Sequence, residues 1–105
     1  MKQTIEQIHK AAQYLSAAGI CFVEKQADDS HTNLGWNKKV NRLETHVFMD
    51  VHQLGINLKL FAIDWIKNGS SVDSISLNGH THGQIVQWIS NQVIKQGISI
   101  EYIYA

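Results

Sequence analysis

A chain of 105 residues has the length of one domain, which leaves no room for separate catalytic and regulatory modules. Hydrophobic residues make up 44% and charged residues 17%, a globular composition that rules out intrinsic disorder. Nine Lys+Arg against nine Asp+Glu give a formal net charge of zero, which argues against nucleic acid or an anionic membrane as partner.

In chain order, the spacing predicts a helix from Thr4 to Ala18, with Ile5, Ile8, Ala12 and Leu15 as its buried stripe. Thr4-Ile5-Glu6-Gln7 fits a capping box, and Gly19 is placed to stop the helix. Ile20 to Glu24 then reads as a short strand carrying Cys21. With no second cysteine, an intramolecular disulfide is impossible, and the default for Cys21 is a buried thiol. Residues 25–39 are polar and read as a long loop or wide hairpin. From Val40 to Val51 the chain alternates: Leu43, Thr45, Val47, Met49 and Val51 on one side, Glu44, His46, Phe48, Asp50 and His52 on the other. A turn at Leu54-Gly55 leads into a strand from Ile56 to Lys67, apolar on both sides in its middle and therefore central. Asn68-Gly69 is a tight-turn signal, followed by a strand from Val72 to Leu77. A second helix spans Thr81 to Gln96, opened by a Thr81–Gln84 capping box and stopped by Gly97, with Ile85, Val86, Ile89 and Val93 inward and Trp88 at the edge. The alternation of Ile98, Ile100, Tyr102 and Tyr104 predicts a last strand.

The expected order is α-β-β-β-β-α-β: a single α+β domain over 1–105, with an antiparallel sheet of about five strands and both helices on one face. The N-terminus lacks an apolar core of signal-peptide length, and the most apolar stretch, Leu58 to Ile66, is broken by Lys59 and Asp64. A cytoplasmic location is expected.

The alternating pattern also supplies a candidate surface. Glu44, His46 and Phe48 share one side of their strand. Placed beside Phe61, Ile63 and Trp65 they make an aromatic face edged with ionisable groups, to which the last strand adds Tyr102 and Tyr104. A large apolar face points to partner contact, so the expectation is a homo-oligomer, a dimer or higher, with a small-molecule site at the same face and no cofactor. A Glu44–His46 pair could do acid–base work, but the alternation also suits a surface histidine.

Ser76-Leu77-Asn78-Gly79-His80-Thr81-His82-Gly83-Gln84 resembles the Gly-His-Thr-His segment of calcineurin-like metallophosphoesterases, and Met49-Asp50-Val51-His52 resembles that family's opening Asp-x-His motif. The resemblance implies a metal-dependent hydrolase in which Asp50, His52, His80 and His82 hold divalent cations. The family's Gly-Asp and Gly-Asn-His segments, expected between His52 and His80, are absent, and four ligands are too few for its two-metal site. The same residues equally describe a capped helix start, with His80 and His82 flanking Thr81. Asp28-Asp29-Ser30-His31-Thr32-Asn33-Leu34-Gly35-Trp36 with Arg42-Leu43-Glu44-Thr45-His46 resembles a segment of longer bacterial proteins without an assigned activity, and implies no ligand.

Overall fold

The structure, a computed structural model, describes residues 5–23 and 34–104, with side chains from Gln7 onward. Thr4 of the first expected capping box, Glu24, and residues 25–33 of the polar loop, with His31, lie outside the described residues.

Helix α1 is Ile5–Phe22, so the strand expected at Ile20 to Glu24 does not form and Gly19 does not end the helix. The reason is a longer apolar stripe: Ala11, Tyr14, Leu15, Ala18 and Phe22 are all buried at helical spacing. Phe22 stacks on Phe48 at 5.0 Å between ring centroids, and burying an aromatic ring outweighs the ~1 kcal/mol that a mid-helix glycine costs.

Five strands follow as an antiparallel meander: β1 Gly35–Asn37, β2 Arg42–Glu44, β3 His52–Asn57, β4 Ala62–Lys67 and β5 Ser70–Ser76, paired in sequence order. Helix α2 is His82–Lys95, and residues 98–104 run as a tail outside the sheet. The observed order is α-β-β-β-β-β-α. The α+β class, the five-stranded antiparallel sheet and the two helices are as expected, whereas the last strand is not one.

Two stretches expected as single strands are hairpins. Between Val40 and Val51 the chain leaves β2 and reverses at Met49 and Asp50, which take φ of 51° and 70°, so that Phe48 pairs with His52. Between Ile56 and Lys67 it reverses at residues 58–61, with Phe61 at φ 51°. The second turn is built by Asn57, whose Oδ1 accepts from the backbone N–H groups of Lys59 and Leu60. Asn37 does the same for Lys39 between β1 and β2. Asn68 and Gly69, both at positive φ, make the expected two-residue turn between β4 and β5.

The register places Leu54 opposite Trp65 and Ile56 opposite Ile63. This side of the sheet joins α1 and α2 in one core with Leu15, Phe22, Ile85, Ile89 and Val93, so both helices cover the same face. Thr81 caps α2 by accepting from the Gln84 backbone, and the Gln84 side chain accepts from the Thr81 N–H, completing the box. At its other end, Ile98 N–H donates to Val93 O and Gly97 N–H to Ile94 O, a closure that needs Gly97 at φ 76°.

The opposite face of β4 is closed as well: Ala62, Asp64 and Ile66 are buried. There Arg42 Nε bonds Glu44 Oε2 at 2.8 Å and its Nη1 reaches Asp64 Oδ2 at 3.4 Å. Gly55 stands between Glu44 and Asp64 in the register, and the Arg42 stem crosses it. A Cβ on Gly55 would sit 2.7 Å from Arg42 Cδ and 2.8 Å from its Cγ. Gly55→Ala should therefore destabilise the fold by about 1–3 kcal/mol, the usual cost of overpacking. Urea unfolding checks it, and an unchanged midpoint would mean that Arg42 is free to lift away.

Candidate functional site

Most of the residues expected on an exposed aromatic face are interior. Phe48, Phe61, Ile63, Trp65 and Tyr102 are all buried, and Ile63 and Trp65 have no exposed surface at all. The hairpin turns cause this, because they fold the alternating segments back so that their apolar sides face the helices. Glu44 is half-buried in the ionic group, its carboxylate also accepting from Asn37 Nδ2 and Gln53 Nε2. His46 is exposed beyond the end of β2, outside the strand it was expected to share with Glu44. The sheet face therefore offers no aromatic surface at these positions. Of the expected set, Tyr104 remains half-exposed, on the helix layer instead.

The four residues of the metal reading do not converge. Among the described residues, no group of three or more His, Cys, Asp or Glu side chains is arranged to hold a metal ion. His52 is buried, and its Nδ1 accepts from Trp65 Nε1–H at 3.1 Å. An indole N–H only donates, so this bond fixes a neutral imidazole with its proton on Nε2. Asp50 is exposed in the turn beside it, while His80 and His82 stand at the start of α2.

What the fold does assemble lies along the helix layer. The C-terminal tail is drawn onto α1 by four hydrogen bonds: Tyr102 Oη donates to Tyr14 O at 2.9 Å, Ile103 N–H donates to Cys21 Sγ at 3.3 Å, the Cys21 thiol donates to Ile103 O at 3.5 Å, and Tyr104 Oη donates to Gln13 Oε1 at 3.1 Å. Three rings meet there. Tyr14 stacks on His82 at 5.5 Å, and Tyr104 packs against Tyr14 at 5.2 Å and His82 at 4.8 Å. The Tyr14 hydroxyl lies 2.8 Å from His82 Nδ1. Burial first, then Tyr104, pushes the Tyr14 phenol up, so it keeps its proton and donates to the imidazole. Tyr102 is pushed up far more strongly, mainly by burial and then by Cys21 and its neighbouring phenols.

A cleft of about 210 Å³ opens on one side of this ring cluster, between α1 and the β5–α2 connection. Lys10, Tyr14, His80 and His82 line it, with Phe61 and Ile85 among its apolar wall. The His80 Nδ1–H donates to Ser76 O at 2.7 Å, because a carbonyl can only accept, and this turns the ring's Nε2 away from the bond. On the other side, two grooves of about 490 and 240 Å³ flank the tail. One is lined by Ile20, Cys21, Ile103 and Tyr104, the other by Ile94, Ile98 and Ile100.

No family model, no curated protein and no solved structure matches the chain. Among the described residues, no helix is long and apolar enough to cross a membrane. Sequence reasoning placed His80 and His82 correctly at a helix start but missed Lys10 and Tyr14. The signal was available, since Lys10 and Tyr14 are one turn apart on α1, at the edge of a stripe that continues to Phe22.

Burial first, then Lys67 across the strand pair, pushes the His52 imidazole down from its ordinary value. At pH well above ~6.5 it is neutral both folded and unfolded and makes no contribution. As pH falls through that value the unfolded chain takes up the proton first, so stability is lost until the lower folded pKa is passed. His52→Gln keeps an acceptor for Trp65 but cannot titrate. Denaturation between pH 8 and about 5 should show the natural protein losing stability relative to this variant; parallel profiles would mean that His52 is protonated inside the fold.

Proposed function

We propose that this chain is a cytoplasmic, non-catalytic binding module that works as a homo-oligomer, its copies meeting on the helix layer along the tail. The observation that carries this is a set of four isoleucines left in solvent there: Ile20 at 67% exposure, Ile94 at 74%, Ile100 at 42% and Ile103 at 59%. Ile20 and Ile103 share one groove and Ile94 and Ile100 the other, and exposed apolar surface grouped in this way marks contact with another macromolecule. The charge pattern favours a second copy over a foreign partner. Among the described residues, Glu101 is the only charged one lining either groove, so a strongly charged protein would find little there to pair with. A chain with nine charges of each sign meets no net repulsion from itself. A standard interface buries roughly 800 Å² per partner, with an apolar centre and a polar rim. The isoleucines suit the centre, and Gln13, Ser16, Ser90 and Ser99 around the grooves suit the rim. The free thiol of Cys21, half-buried against the tail, accords with a reducing compartment.

Sedimentation velocity tests the reading. The natural protein should run as a dimer or larger species at high micromolar concentration. Ile103→Glu and Ile20→Glu, both at exposed positions, should run as monomers with unchanged circular dichroism. A monomeric natural protein would sink the proposal, and so would variants that sediment like it.

A further inference from the structure

The cleft between α1 and the start of α2 lies apart from the two grooves, and its chemistry is of a different kind. Its titratable lining groups are Lys10 from α1, His80 from the β5–α2 connection, His82 from the first turn of α2, and Tyr14. Among the described residues no aspartate or glutamate lines it. Lys10 and His80, from separate elements, thus face one space with no counter-charge among the described residues, which makes the cleft a local positive site in a neutral molecule. Lys10 has no ion-pair or hydrogen-bond partner among the described residues, so nothing there competes for its ammonium.

Each imidazole is also oriented. The Nδ1 of His80 is engaged by Ser76 O and the Nδ1 of His82 by the Tyr14 hydroxyl, which leaves Nε2 of each ring as the atom available for a ligand. Tyr104 packs edge-on against His82 from the tail side and holds that ring in place. The start of α2 adds donors. The capping box uses the Gln84 N–H, and the Ile85 N–H goes to Thr81 O. The N–H groups of His82 and Gly83 have no protein acceptor among the described residues. No acidic residue occupies the first helical turn, where one would normally satisfy these groups. The rest of the wall is mixed: Ala11, Phe61, Leu77 and Ile85 are apolar, and Gln7 and Asn78 are polar.

We propose that this cleft is a binding site for a small organic anion, one acidic head group on a single-ring or similarly sized apolar body. The head group sits among Lys10, the Nε2–H of His82, the Nε2–H of His80 in its imidazolium form and the first N–H groups of α2, where charge-assisted hydrogen bonds are the strong ones. The body lies against Phe61 and Ile85. The proposal does not depend on self-association, because the residues that carry it line neither groove.

The test is a titration of ¹⁵N-labelled protein, followed by amide shifts at fixed pH and salt, with three probes sharing one ring: benzoate, phenyl phosphate and benzyl alcohol. The acids should saturate and move the amides of His82, Gly83 and Lys10, while the neutral alcohol should bind at least about tenfold more weakly. The tighter of the two acids identifies the head group. Lys10→Gln and His80→Gln should each weaken the acid by about tenfold, and Lys10→Arg should restore it. Lys10 is exposed, and its variants keep the fold, which the unperturbed part of the spectrum verifies. Equal binding of the alcohol, shifts centred elsewhere, or an unchanged affinity in Lys10→Gln would each overturn the proposal. Repeating the titration on Ile103→Glu separates the two readings, since a monomeric variant that still binds the acid leaves this inference standing alone.

Discussion

Strand β4 has an interior on both of its sides, and the rest of the structure is arranged around that constraint. Its helix-facing residues, Ile63 and Trp65, are fully buried in the apolar core, while Asp64 between them is buried on the other side against Arg42. Burial raises the Asp64 carboxyl, and the Arg42 bond and charge, with Asn57, act against that shift without cancelling it. A buried pair of this sort adds little net stability, because desolvation offsets the attraction. Its effect is on register. A slip of one residue would carry Asp64 into the apolar core and turn Trp65 toward Arg42 and Glu44. With β4 so fixed, the hairpins on either side of it have one way to pair.

The ends of α2 were legible because their chemistry is local. Thr81, Gln84 and Gly97 act within a few residues of themselves, and the structure puts each in the expected role. Asn68-Gly69 was legible for the same reason. The turns at residues 49–51 and 58–61 were not, because they contain neither glycine nor proline. Met49, Asp50 and Phe61 accept positive φ there, a cost of order 1–3 kcal/mol met by the packing on each side. The one local clue was Asn57 before the second of them, whose side chain folds the following backbone back as Asn37 does between β1 and β2. Reading through the second turn reversed the sidedness of β4 relative to β3. Ile63 and Trp65 were therefore expected on a surface, while Ile20 and Ile103, which are exposed, sat in segments expected to be strands.

The candidate surfaces are connected physically. Tyr104 lines one groove and packs against His82, which lines the cleft, and Tyr14 touches both rings. Little in that seam is deformable by small amounts, since ring contacts of this kind are made or lost by whole rotamer changes. One edge of the cleft and the position of the tail thus rest on the same ring cluster. His82, which sequence patterning set in solvent beside a cap, is the residue they share.

The bond from Tyr102 to the backbone of Tyr14 spans 88 residues of sequence, and those from the tail to Cys21 and Gln13 span 82 and 91. The sheet between them is a meander, every strand pairing with its neighbour in the chain, so its contacts close short loops. The entropic cost of folding is therefore unevenly spread along the pathway. The sheet can nucleate locally and quickly, whereas the tail contacts at the ring seam demand loop closures of 82 to 91 residues. The tail is then the segment whose release exposes the seam without undoing the sheet, the first unit to open in native-state exchange and the last to protect its amides.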